Sequence, residues 1–156
     1  MSEAEQSFGI TLEQVSDYEF RVRFDETAIP DLITDETSPL GGDAGPNPSR
    51  LIGTAVANCL AASLLFALRK YKNTPGTIGT KAKVTMTRNE HNRLRITHIG
   101  VDLQLADKAE VLEHLDRALA QFEDFCIATQ SVRQGIKVDV SVRDGEGTLL
   151  PLPDAG

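Results

Sequence analysis

Residues 47–72, NPSRLIGTAVANCLAASLLFALRKYK, decide how the rest of the chain must be arranged. Asn47 suits a helix cap, Pro48 its first turn, and Arg69, Lys70 and Lys72 its negative C-terminal end, before Asn73-Thr74-Pro75-Gly76 stops it. Between Arg50 and Arg69 lie eighteen uncharged residues, the apolar ones on every side. That spacing predicts a helix buried nearly all round, with the Cys59 thiol in the core. The run just reaches the length of a membrane span. Gly53, Thr54, Asn58 and Ser63 within it, and the lack of a second such run, favour a central core helix instead.

Outward from this helix, the patterning is that of strands. Phe8, Ile10 and Leu12 alternate, as do Tyr18, Phe20, Val22 and Phe24 after the turn-like Ser16-Asp17, which predicts a hairpin with Arg21 and Arg23 on the face opposite the aromatics. Leu32, Ile33 and Thr34 make a short third strand before a Pro-, Gly- and acid-rich loop long enough to carry function. Beyond the helix, Ile78, Thr80, Ala82, Val84 and Met86 alternate with Lys81, Lys83, Thr85 and Thr87. After the turn RNEHNR, the return strand has Leu94 and Ile96 in one phase and Ile99, Val101, Leu103 and Leu105 in the other, which a bulge near His98 reconciles.

Asp107 is placed to cap a second, amphipathic helix with Val111, Leu112, Leu115, Ala118, Leu119 and Phe122 on one face. A break then leads to Cys126 and a short helical stretch ended by Gly135 as a left-handed cap. Ile136, Val138, Val140 and Val142 alternate in a last strand. The reading is one α+β domain over residues 1–156, helices against antiparallel sheet, with residues 1–7 and 147–156 as loosely held tails.

A chain of 156 residues can bury roughly 70% of its unfolded surface without disulfide or metal. The net charge of -7 disfavours nucleic acid and anionic membrane surfaces as partners. The acidic start MSEAEQSFG lacks the basic and apolar parts of a signal peptide, so the expectation is a cytoplasmic protein with reduced thiols. Charge is uneven along the chain. Arg69, Lys70, Lys72, Lys81, Lys83, Arg88, Arg93 and Arg95 face only Glu90 in their segment, whereas residues 1–49 hold eleven acids against Arg21 and Arg23. A solvated basic hairpin face is favoured over docking of one part on the other.

Cys59 and Cys126 stand 67 residues apart and form neither a CxxC nor a zinc pattern. Taken singly, each reads as a small core residue; taken by position, Cys126 opens a helical turn whose free N–H groups favour a thiolate. His91, His98 and His114 have no metal-ligand spacing. No G-x-S-x-G elbow occurs, and GGDAG at residues 41–45 follows no clear strand and lacks the Walker lysine.

Two motifs together carry more. PLGGDAGPNPSRLIGTAVANCL, followed by FCIATQSVRQGIKVDVSV, resembles the OsmC/Ohr family of thiol-dependent peroxidases, and the similarity runs from about Tyr18 to Arg143. The resemblance implies an intertwined homodimer with antiparallel sheets packed on two central helices and each site built from both subunits. It implies Cys59 as the peroxidatic and Cys126 as the resolving cysteine, an organic hydroperoxide substrate, a dithiol or lipoyl-type reductant and no cofactor. It also implies an arginine from the N-terminal region and a glutamate at the start of the cysteine helix holding the thiolate. This chain has Ser49 and Arg50 where the family's branches carry that glutamate, which marks a divergent branch. Asp35 and Glu36 are the loop acids available as substitutes.

Peroxide chemistry needs Cys59 as thiolate, and burial opposes that. Lowering its pKa by about two units from ~8.5 requires about 2.7 kcal/mol of selective stabilisation, which one guanidinium can supply. Arg21, Arg23 and Arg50 are the candidates. Arg50 lies ~13 Å along the axis from Cys59 and half a turn round, so it serves only a partner's site. Arg21 and Arg23 match the family's usual source. The competing readings are a non-catalytic dimeric module, sensing redox state or binding a hydrophobic ligand, and a purely structural role for both thiols.

Overall fold

The computed structural model describes residues 4–136, 138–144 and 146–153. Its axis is α1, Pro48–Lys70, entered as expected: Asn47 Oδ1 accepts the Arg50 N–H at 2.9 Å and Pro48 occupies the first turn. At the other end Lys72 takes φ 68°, its N–H bonds to Arg69 O, and the Asn73 N–H returns to Leu68 O. This is a Schellman closure with lysine where glycine is usual.

Before α1, β1 (Ile10–Ser16), β2 (Glu19–Phe24) and β3 (Leu32–Thr34) form an antiparallel sheet in that order. Leu12 stands opposite Val22 and Val22 opposite Leu32. After α1, β4 (Ile78–Arg88) and β5 (Leu94–Leu105) make the long hairpin. The bulge lies at Thr97: Thr85 pairs with His98 and Met86 with Ile96, so Ile96 and Ile99 share the inner face. Helix and hairpin approach closely at Gly53, where a Cβ would stand 2.6 Å from Val84 Cγ2.

The second helix departs from expectation. In place of one helix from Asp107 there is a short turn at Ala109–Val111, then α2 over Leu115–Gln121, preceded by His114 at φ 52°. Asn73 is the reason. Its Oδ1 accepts the Glu113 N–H at 2.7 Å, and its Nδ2 donates to Glu113 O at 2.9 Å and Leu68 O at 3.0 Å, claiming backbone groups a continuous helix would use. Asp107 does not cap; its Oδ2 accepts the Gly76 N–H at 2.7 Å. Val111 and Leu119, at 66% and 48% exposure, leave the expected apolar face, while Leu112, Leu115, Ala118 and Phe122 keep it.

α3, Ile127–Gln134, follows with Cys126 as its cap, and Gly135 ends it at φ 77°, ψ 156°, a positive φ outside left-handed helix. Ile136, Val138 and Val140 are exposed and lie in no strand; Val142–Arg143 (β6) pairs with Leu149–Leu150 (β7), inside the expected loose tail. The parts of that tail and of the N-terminal tail at residues 154–156 and 1–3 lie outside the described residues, as do Lys137 and Gly145.

The core has two adjoining centres along α1. Leu64, Ala67, Leu68 and Ala118 form one, and Val56, Leu60 and Cys126 the other, with Leu103 and Phe122 touching both. Burial of α1 all round does not hold. Ile52 and Phe66 are 43% and 57% exposed, beside exposed Ala55, Asn58 and Ala62, because the hairpin and the later helices cover only part of the rod. β1–β3 make few contacts with the other strands and the helices, and no ion pair among the described residues joins them to the basic hairpin.

The loop between β3 and α1 is held by Asp35, 5% exposed: Oδ1 accepts the Glu36 N–H at 2.8 Å and Oδ2 those of Gly42 and Ala44 at 3.0 and 3.1 Å. The Ala44 N–H foremost, with those of Gly42 and Glu36, overcomes burial and holds the carboxyl below the usual aspartate range. The ionised form then favours folding: its contribution is complete above the ordinary value of 3.8 and is lost as pH falls through the lower folded-state value. Asp35→Asn should therefore melt several degrees lower at neutral pH, with the gap closing below pH 3.8. Paired melts across acidic pH check this; a pH-independent gap would contradict it.

Candidate thiol site

Two elements bring the cysteines together. Cys59 lies mid-way along α1, and Cys126 caps α3, whose first turn packs on the same stretch of α1. Both sulfurs are free. Cys59, expected in the core, is half-buried at its margin, whereas Cys126 is 0% exposed, as a small core residue would be. The reason is the uncovered side of α1, which begins next to Cys59 at Asn58 and Ala62.

Burial pushes the Cys59 thiol up, but four donors reverse the sign. The Cys126 thiol, the Ala128 N–H, the Ser63 hydroxyl and the Thr129 N–H all act on its sulfur and bring its pKa below the ordinary thiol value. Ala128 and Thr129 belong to the first turn of α3, where N–H groups lack helical partners and the helix dipole favours negative charge. Cys126 moves the other way. Burial leads, the bond to Cys59 and the charge there add to it, and the Thr129 hydroxyl and N–H oppose without prevailing, so its pKa is raised. The free amides expected to serve the Cys126 thiolate serve Cys59 as well.

Thr129 ties the site to α1. Cys126 Sγ donates to Thr129 Oγ1 at 2.9 Å, Thr129 Oγ1 donates to Val56 O at 3.4 Å, and the Thr129 N–H reaches Cys126 Sγ at 3.4 Å. The sequence reading missed Ser63 and Thr129. Each had a signal: Ser63 follows Cys59 by four residues on one helix face, and Thr129 stands three after a capping residue.

The arginines stand elsewhere within the chain. On β2, Arg21 pairs with Asp31 at 3.7 Å and Arg23 with Glu13 at 3.2 Å, all four exposed, and no arginine acts on Cys59. Arg50 lines a groove between α1 and β4 with Thr54, Asn58 and Val84. Asp35 is occupied by its loop. A cavity of about 550 Å³ lies beside Thr129, floored by Val56, Leu60, Ile99, Val101 and Phe122, with the Arg133–Glu123 pair and His98 on its wall. Phe66 and Phe125 meet edge to face at 5.1 Å, with Lys70 Nζ 5.5 Å from the Phe125 ring. Among the described residues no three His, Cys, Asp or Glu are grouped to hold a metal.

Residues 41–141 match the family model described as OsmC-like protein. The chain belongs to the OsmC-like family. Among solved structures, an OsmC-like protein of unknown function from Vibrio cholerae superposes with TM-score 0.66 at 11% identity, covering 81% of this chain and 94% of the other. An organic hydroperoxide resistance protein OsmC from Legionella pneumophila gives 0.62 at 13% identity, covering 84% and 92%. The organic hydroperoxide resistance protein OhrB of Bacillus subtilis gives 0.56 at 17% identity, covering 82% and 91%. No curated protein sequence matches this chain. At these identities the likeness is one of fold: an OsmC-like α+β arrangement of antiparallel sheets and helices.

If the donors around Cys59 set its ionisation, Ser63→Ala should raise its pKa. Alkylation of Cys59 by iodoacetamide near neutral pH should slow by about 3-fold, and its rate profile should move to higher pH. An unmoved profile would remove Ser63 from the site.

Proposed function

We propose that this OsmC-like protein is a thiol-dependent peroxidase of organic hydroperoxides, with Cys59 peroxidatic and Cys126 resolving. The observation that carries the reading is the split between two neighbouring thiols: Cys59, against burial, drawn toward thiolate by the Cys126 thiol first and then by the Ala128 N–H, the Ser63 hydroxyl and the Thr129 N–H, and Cys126 held as the protonated donor. Cys59 S⁻ attacks the terminal peroxide oxygen, the O–O bond breaks, and the alkoxide leaves as alcohol on taking a proton, giving the Cys59 sulfenic acid. The Cys126 sulfur then attacks that sulfenic sulfur; the S–S bond forms, hydroxide leaves, and the Cys126 proton completes it as water. A dithiol or lipoyl-type reductant restores both thiols by exchange. Apolar Phe66 and Phe125 close to the helix join suit an alkyl peroxide.

The working unit in this reading is an intertwined homodimer, each chain one domain over residues 1–156. Three surfaces support it: the open side of α1, the exposed apolar Ile10, Leu12 and Tyr18 of the unattached sheet, and the alternating exposed Ile136, Val138 and Val140. A second copy is then the source of a guanidinium at the thiolate, Arg21 or Arg23 from its sheet or Arg50 from its helix. The two free thiols suit a reducing compartment such as the cytoplasm.

The cavity beside Thr129 and the missing acid at Ser49 and Arg50 favour a second reading, a dimeric module that binds a hydrophobic ligand or senses oxidation. Turnover separates the two, since a sensor oxidises once per reduction.

With one equivalent of cumene hydroperoxide, mass mapping should find a Cys59–Cys126 disulfide. Cys59→Ser should abolish peroxide consumption, and Cys126→Ser should leave a sulfenic acid that dimedone traps. Unreacted Cys59 after peroxide would sink the peroxidase reading, and hydrogen peroxide consumed faster than cumene hydroperoxide would count against the alkyl preference. Sedimentation equilibrium should return the mass of two chains at micromolar concentration; a single-chain mass would remove the shared site.

A further inference from the structure

We propose that Thr129 is a positioning residue that controls the proton of Cys126, its hydroxyl accepting the S–H while Cys126 waits and donating to the sulfur when it attacks. This deepens the peroxidase reading and rests on it for the timing of the step. Cys126 has one proton and two acceptors, the Cys59 thiolate and Thr129 Oγ1. While Cys59 is anionic, the S–H is drawn to it and helps to hold that charge. Once Cys59 is a neutral sulfenic acid that attraction is gone, and Thr129 Oγ1, 2.9 Å away, is the acceptor that remains.

Resolution then requires the opposite polarity. Cys126 is buried among Val56, Leu60, Ile99 and Val101, so a thiolate forming there needs a donor. A hydroxyl both gives and receives hydrogen bonds and turns about one bond. Thr129 spends its own proton on a long 3.4 Å bond to Val56 O, a helical carbonyl, so turning it toward Cys126 gives up little. The proton leaving Cys126 goes to the departing hydroxide of the sulfenic acid, forming water as the S–S bond closes. No other reactant is needed. The titratable and charged groups around the pair are Cys59 from α1, His98 from β5, and Glu123 with Arg133 on the cavity wall.

Thr129→Val keeps the shape and removes the hydroxyl. Sulfenic acid formation on Cys59, timed by dimedone trapping, should stay within about 3-fold of wild type, while disulfide formation slows at least 10-fold and its pH profile moves up. Thr129→Ser should restore both. Independently of any peroxide, the Cys126 thiolate in a Cys59→Ala background, titrated by its ultraviolet absorbance, should ionise at higher pH in Thr129→Val and return with Thr129→Ser. An unmoved Cys126 titration, or a disulfide forming at the wild-type rate and pH profile, would overturn the role of Thr129. Absence of both sulfenic acid and disulfide on Cys59 after peroxide would overturn the peroxidase reading, leaving the titration to judge Thr129 alone.

Discussion

The structure depends on the place where the first turn of α3 meets the middle of α1. Helix N-termini carry N–H groups with no partner in their own helix, and a buried one must find an acceptor. Here the acceptors are sulfurs. Cys126 caps the turn from within, Cys59 receives from the side, and Thr129 reaches past both to a carbonyl of α1. Packing and ionisation are thereby set by the same few atoms.

That join also weighs two effects against each other. Desolvation acts on both thiols in the same direction, so it cannot separate them; what separates them is the count and sign of hydrogen bonds. Cys59 gathers donors and lies at a half-open margin, whereas Cys126 is fully buried and its bond to Cys59 adds to the effect of burial. Asymmetry of this kind arises inside a single chain without a guanidinium.

Much of this was legible in the sequence. The caps of α1, the hairpin and the phase slip that demands a bulge followed from periodicity, because each is a local consequence of side-chain spacing. The bulge fell at Thr97, beside the expected His98. What failed was long-range. Asp107 looked like a helix cap, yet Gly76 takes its carboxylate, and Asn73, 40 residues from Glu113, interrupts the helix that the apolar pattern announced. The burial of α1 was over-read for a related reason: apolar residues on every side of a helix do not say that the hairpin and the later helices reach every side. At the site, both cysteines were identifiable from motif and position, but the donors Ala128 and Thr129 were not, since backbone amides become a site only once the fold aims them.

Asn73 has a mechanical consequence. Its amide fastens Glu113 to the C-terminal end of α1, and the buried Cys126, packed with Val56 and Leu60, holds the same strap of chain about 18 Å further up the rod. A segment tethered at both ends to one stiff helix cannot slide along it. Such a strap keeps Cys126 at one level of the rod that carries Cys59, so the height of one sulfur against the other is set by two anchors far apart in sequence.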